Sequence, residues 1–420
     1  GFGKPKGIPV ARDILDGIKA AGLDATAPAS NAPNGVQQKY MMAVATQVVI
    51  PRLVATGKPF AMLYWSRDPD LSQHITKDSI GSLKPGINGP TGTAGIKDAD
   101  DTLAALLAAL KAKGLDKTTD VFVSADHGFS TIDRGGSTAP SASVAYTDVP
   151  KGDTPPGMLA IDLAVALGLP LTDPHTHQPV DYKTGKHPAF SSGFLGADPA
   201  KPDVMVIGNG GSDHIYLPGP DAKATAAKVV EALTQLDYVS GIFVDDDLGD
   251  IPGTLPMSAI NMRGAAITPH PSMIVNFRSH LVPGCMPVLM CAASMADSSL
   301  VTGQGMHGTL NRADTRNFMA AIGPSFRRGY ADPTPVSNAD IAPTLAHILG
   351  INLPAKGGLT GRVATEALVG GKPVPFQARI RRSDAAANGQ RTVLQYQEAA
   401  GRFYFDAGGF PGRTVGLTAK

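Results

Sequence analysis

Two short apolar runs, each ending abruptly in a carboxylate close to an imidazole, constrain this chain more than any other feature. The first, Phe60-Ala61-Met62-Leu63-Tyr64-Trp65, stops at Ser66-Arg67-Asp68-Pro69-Asp70, with His74 four residues further on. The second, Asp120-Val121-Phe122-Val123-Ser124, is followed at once by Ala125-Asp126-His127-Gly128. Short unbroken apolar runs of this kind have the pattern of strands buried on both faces. Between them, Asp98–Lys113 reads as a helix from its stripe of Leu103, Leu106, Leu107 and Leu110, stopped by Gly114. Strand, helix, strand in that order predicts parallel pairing through a right-handed crossover. Ligand sites in such folds gather at the carboxyl ends of the strands, where both polar motifs fall.

Composition agrees with a globular α/β chain. Of 420 residues, 43% are hydrophobic and 17% charged, which excludes a disordered polyelectrolyte. A net charge of +1 gives no electrostatic case for nucleic acid or an anionic membrane as the main partner. The 48 glycines and 35 prolines are spread along the chain and predict many turns around the core. No apolar run is long enough to span a membrane. The opening GFGKPKGIPV has neither an initiator Met nor an apolar leader, so the expectation is the interior of a longer polypeptide. The two cysteines, Cys285 and Cys291, have five residues between them, Pro287 included. A disulfide closing a small loop is the favoured reading, with two free thiols as the alternative, and it points to an exported protein. The spacing does not suit a zinc pair.

The pattern along the chain divides it in three. Residues 1–134 form a core α/β part with the first two motifs. It includes a helical stretch near Ala11–Ala21 and an amphipathic helix at Gln37–Ala55. Residues 135–300 read as an inserted, cap-like region with short strands at Val204–Ile207, Ile215–Leu217, Gly241–Val244 and Met273–Asn276, and a helix near Asp221–Leu236. Residues 301–420 complete the core. They hold a strand at Phe318–Ile322, a helix at Asn338–Leu349 with Ser337 as N-cap and Gly350 as stop, and a hairpin of Thr392–Tyr396 with Arg402–Phe405.

Each polar motif has an ordinary reading when taken singly. Asp70 and His74 share a helical face at spacing four, as many solvated pairs do. Asp126-His127 at a strand end can close a loop through one hydrogen bond, and both can face one site only where the backbone turns, which Gly128 permits. His307, in Thr302-Gly303-Gln304-Gly305-Met306-His307-Gly308, can belong to a simple glycine-rich loop. Together they supply two Asp and three His. Two metals roughly 4 Å apart, each with about three protein ligands and an open position, clamp the attacking and leaving oxygens of an in-line phosphoryl transfer. Three rival clusters read as structural: Asp173-Pro174-His175-Thr176-His177 as a surface loop, Asp213-His214 as a turn, and Asp245-Asp246-Asp247 as a solvated turn lacking calcium-loop spacing.

These pieces resemble the alkaline phosphatase superfamily, and most of all its type I phosphodiesterase/nucleotide pyrophosphatase family. Pro69-Asp70-Leu71-Ser72-Gln73-His74 is similar to that family's P-D-x-x-G-H signature, with Gln73 in place of Gly. Ser124-Ala125-Asp126-His127-Gly128-Phe129 is similar to S-D-H-G-M, and His307-Gly308-x-x-Asn311 to the third metal motif. Val336-Ser337-Asn338-Ala339-Asp340-Ile341 running to Gly350 resembles the closing helix. The resemblance implies an alkaline-phosphatase-like three-layer sandwich around a mostly parallel sheet. It implies two divalent ions, zinc by ligand type, one on Asp70, His74 and His307 and the other on Asp126 and His127. Substrate contacts fall to Tyr64, Trp65, Phe129 and Asn311. The implied activity is hydrolysis of a small phosphoester, a phosphodiester or nucleotide pyrophosphate, through a covalent Ser or Thr intermediate.

The nucleophile and the sixth ligand are expected upstream of the first motif, where Thr26 and Thr46 are poor candidates. A separate N-terminal fragment of the same protein is therefore an expected partner. An exported, periplasmic or extracellular location goes with the family and the cysteine pair. The alternatives are an alkaline phosphomonoesterase on the same scaffold and a non-catalytic relative that uses the fold for binding or assembly.

Overall fold

The computed structural model describes residues 9–264, 268–354, 357–358 and 360–418, which divide into two compact units. The first unit comprises the described residues up to Thr76 together with Gly89–Thr119. Its described elements are helices. Arg12–Ala20 is the first; the second runs from Gly35–Val44 through a π-turn at Ala45–Val49 into Ile50–Ala55. Pro51 explains the π-turn, because a proline inside a helix crowds the carbonyl four residues back and removes one N–H. The short helix Asp70–His74 and the long helix Pro90–Ala112 complete the unit.

The long helix begins eight residues before the expected Asp98, at Pro90, whose fixed φ suits a first helical turn. Gly95, a weak helix former, is kept in it by packing: a Cβ there would stand 2.9 Å from the Cβ of Ser72 on the short helix. Phe60–Trp65 is not part of a β-ladder among the described residues, contrary to the buried strand expected of it. Leu63 and Trp65 on its alternate positions are exposed. An apolar run specifies burial preference, whereas strand pairing needs partners that local sequence does not name.

The second unit, Lys77–Asn88 with the described residues from Asp120 onward, holds the sheets. The largest has seven strands in the order Leu171–Thr172, Ser192–Leu195, Val204–Gly208, Ser212–Tyr216, Met273–Phe277, Val239–Val244, Leu255–Pro256. All but its last pair are antiparallel. Helices Met158–Leu167 and Ala222–Gln235 share one hydrophobic cluster with Val204, Val206, Ile215 and Val275 from this sheet. A three-stranded antiparallel sheet follows near the end of the chain, Phe376–Arg382, Val393–Ala399 and Arg402–Gly409, so the expected terminal hairpin has a third strand.

Two smaller sheets position the polar motifs. Val121–Ser124 pairs with Met319–Ile322, both expected as strands, but antiparallel, with Ser124 opposite Met319. A four-stranded sheet orders Ser279–Pro283, Met290–Ser294, Ser130–Ile132 and Gly305–Met306. The architecture is mixed α/β with several sheets, and the described ladders are mostly antiparallel rather than the mostly parallel pairing expected. Cys285 and Cys291 form a disulfide with Cα atoms 5.9 Å apart. No described helix is long and apolar enough to cross a membrane.

One buried carboxyl of this unit has a pH signature. Asp162, on the helix Met158–Leu167, accepts hydrogen bonds from the Ser141 amide (2.7 Å), the Ser141 hydroxyl (2.8 Å) and the Tyr238 hydroxyl (2.7 Å). Burial nonetheless pushes its pKa up to about 6, the hydrogen bonds pulling it back only in part. The folded state thus keeps this proton up to about pH 6, whereas the unfolded chain releases it near pH 4. Its contribution to stability is complete below about pH 4 and is lost as pH rises to about 6. Urea unfolding across that range should show a slope that Asp162→Asn reduces by about 3 kcal/mol in total; an equal slope in the variant would contradict the assignment.

Candidate metal centre

In the first unit, Pro69 leads into the one-and-a-half-turn helix Asp70–His74, and the spacing of four brings its ends over one another. His74 Nε2 lies 3.4 Å from Asp70 Oδ1, both side chains partly exposed. The residue that seats this helix is Asp68, which was not singled out in the sequence. It is buried, and its carboxylate accepts from the Asn34 amide (2.6 Å) and the Ser72 hydroxyl (2.6 Å). Asp98 of the long helix is held above the usual carboxylate range by its own burial and then by Asp68 beside it.

In the second unit, strand register places two histidines together. Ser130–Ile132 and Gly305–Met306 run antiparallel with Ser130 opposite Met306. His127 precedes the first strand and His307 follows the second, so both leave the same end of the ladder. Their rings stack with centroids 3.6 Å apart and planes 19° apart. The Phe129 ring stands 5.4 Å from His307 and 5.9 Å from His127. His127 Nδ1 is 2.8 Å from the Gly128 carbonyl oxygen, which makes Nδ1 the donor and Nε2 the ligand nitrogen. That Nε2 is 3.6 Å from Asp126 Oδ1.

Polar groups absent from the motifs hold these loops. Asn338 accepts from the Ser124 hydroxyl (2.6 Å) and donates to the carbonyls of Ala125 (2.9 Å) and Asp126 (3.0 Å). The backbone around Asp126 is thereby fixed by the first turn of the closing helix, itself capped by the expected Ser337 in a capping box with Asp340. Asp314 is buried and accepts from Ser130 Oγ (2.9 Å), the Thr309 amide (2.8 Å) and Thr309 Oγ1 (2.8 Å), joining the His127 and His307 segments. Burial pushes its pKa up to about 6 against these bonds. Gly128 matters for contact rather than for a turn: its φ is not positive, and a Cβ there would stand 1.8 Å from the Ala313 carbonyl oxygen.

The remaining candidates are placed as follows. Tyr64 is half-buried and donates to the Gln38 carbonyl at 3.4 Å, while Trp65 is 68% exposed. Asn311 is buried, and its side chain accepts from the Ala313 and Asp314 amides as an N-cap and donates to Ser294. Asp173 is buried and accepts from the amides of His175, Thr176 and Ala189, so this rival cluster is a turn built on a carboxylate. Asp213-His214 lies within the strand Ser212–Tyr216 rather than at a turn.

Two ligand atoms on one tetrahedral zinc stand roughly 3.3 Å apart. The Asp70–His74 and Asp126–His127 separations match that spacing, and a mixed carboxylate–imidazole set suits zinc. Within the second unit, His127 and His307 together are candidates to hold a metal ion. Two substitutions test the supports. Gly128→Ala should cost about 1–3 kcal/mol in thermal unfolding through overpacking. Asn338→Ala should leave the melt nearly unchanged while weakening zinc affinity by roughly tenfold in calorimetric titration; equal affinity would remove Asn338 from the account.

Residues 25–164, about a third of the chain, match the family model described as type I phosphodiesterase/nucleotide pyrophosphatase. No curated protein matches the sequence. Human ectonucleotide pyrophosphatase/phosphodiesterase 5 is a similar solved structure, at 16% identity and a TM-score of 0.38, over 77% of this chain and 60% of that one. The chain thus spans less than two thirds of that relative. The family match covers both the Asp70–His74 and the Asp126–Gly128 motifs, so that over residues 25–164 the chain is similar to the type I phosphodiesterase/nucleotide pyrophosphatase family.

Proposed function

We propose that this chain carries the metal-holding machinery of a phosphoric ester hydrolase that cleaves a phosphodiester or nucleotide pyrophosphate bond in a small substrate. The observation that carries the reading is the stacking of His127 on His307 at the end of one ladder, each histidine coming from a different motif of the family. Asp70, His74 and His307 would hold one divalent ion and Asp126 and His127 the other, zinc in both by donor chemistry. When bound, such a pair supplies Lewis acidity to the phosphoryl oxygens of an in-line displacement.

The chain's own residues orient that chemistry. Gly128's carbonyl sets the His127 tautomer, Asn338 fixes the backbone at Asp126, and Asp68 seats the helix of Asp70 and His74. Phe129 gives the histidine pair an apolar wall, and Tyr64 and Trp65 are assigned to the leaving group. The Ser or Thr hydroxyl of a covalent intermediate is assigned to none of the residues in this chain. Export to the periplasm or the extracellular space is supported by the disulfide.

Hydrolysis of bis(p-nitrophenyl) phosphate by this chain, assayed together with the upstream segment expected to carry the nucleophile, tests the reading. Activity should disappear with a chelator and return with zinc, and His307→Ala should lower kcat/KM by about a hundredfold or more. Faster turnover of the p-nitrophenyl monoester would move the assignment to a phosphomonoesterase. Stoichiometric zinc binding without turnover of either ester would favour the non-catalytic reading.

A further inference from the structure

The hairpin Ser279–Pro283/Met290–Ser294, with Pro283 opposite Met290, ends in a tip that inverts the usual character of a loop. The disulfide at its root is inside: Cys285 and Cys291 are buried with Val282 and Ala293, and Leu83 packs on them. The residues it encloses are outside. Met286 is 66% exposed, Val288 40%, Leu289 80% and Met290 56%, with Leu281 beside them at 48%. Gly284, at φ +75°, makes the turn, and its amide donates to the Leu289 carbonyl at 2.8 Å. A covalently closed, internally bonded tip presents its side chains with little ordering left to lose on binding.

From Ser279 to Ser294 there is no Asp, Glu, Lys or Arg, and His280 faces Asp133 at 3.6 Å. The Lys84 ammonium lies 3.4 Å from where a Cβ on Gly284 would stand, at the collar of the tip. An apolar apex with a lysine at its collar complements a lipid–water interface, where apolar side chains enter the acyl boundary and a lysine reaches anionic headgroups. A stable protein interface asks for about 800 Å² per partner and for aromatic or arginine anchors, and five aliphatic and thioether side chains supply neither. We propose that the disulfide-closed tip Cys285–Cys291 docks on an anionic lipid surface, with Lys84 at headgroup level. The proposal does not depend on the catalytic reading.

Flotation of the full chain with vesicles tests it. The protein should float with phosphatidylcholine–phosphatidylserine vesicles, and binding should weaken on phosphatidylcholine alone and at high salt. The double variant Met286→Ser/Leu289→Ser, altered only at exposed positions, should lose roughly tenfold or more in vesicle affinity. Lys84→Gln should lose the phosphatidylserine-dependent part alone. Leu289→Trp keeps the tip apolar and should retain binding, with a blue shift of the added emission on vesicles. The proposal is overturned if wild-type protein stays unbound on both vesicles, or if the double variant floats as well as wild type. A concentration-dependent oligomer dispersed by the double variant, without vesicle binding, would overturn it in favour of a protein contact.

Discussion

The buried carboxylate of Asp314 is the tie on which the histidine loops depend. Its oxygens take Ser130, three residues past His127, and the amide and hydroxyl of Thr309, two residues past His307. Its backbone carbonyl accepts from Gly128 at 2.8 Å, and the neighbouring Ala313 carbonyl accepts from Phe129 at 3.1 Å. Asn311 closes the network by capping the short helix that carries Asp314 and by donating to Ser294 on the adjoining strand. A fully satisfied buried network is stiff, and a partly satisfied one is costly, so these bonds form as a set. The two imidazoles inherit that stiffness because few rotatable bonds separate them from it.

Residues between 135 and 300 take part in the same assembly. Gly211, beside the strand Ser212–Tyr216 of the largest sheet, donates its amide to the His307 carbonyl at 3.0 Å, and a Cβ on it would stand 2.6 Å from that oxygen. Strand Met290–Ser294 lies parallel to Ser130–Ile132, with Ala293 opposite Thr131. Residues between 135 and 300 therefore buttress the third motif.

What the sequence disclosed and what it hid divide along a physical line. Asp70, His74, Asp126, His127 and His307 stand out in the sequence because carboxylates and imidazoles at strand and helix ends are costly without a purpose, and of these the structure stacks His127 on His307. Local signals were legible too, as in Ser337 as an N-cap and the helix Ala222–Gln235. Pairing was not, since Val121–Ser124 meets Met319–Ile322 across nearly 200 residues and in the antiparallel sense. The supports Asp68, Asp314 and Asn338 look in sequence like ordinary cap and turn residues, because their partners are distant along the chain. Gly128 was legible as necessary, but its reason is a backbone oxygen from residue 313.

Anomalous diffraction at the zinc edge, from crystals of this chain equilibrated with zinc, tests the central claim most directly. The account predicts strong peaks within bonding distance of His127 Nε2 and of the His307 ring. Zinc held elsewhere, for example on the Asp173–His177 turn, with the histidine pair empty, would contradict it.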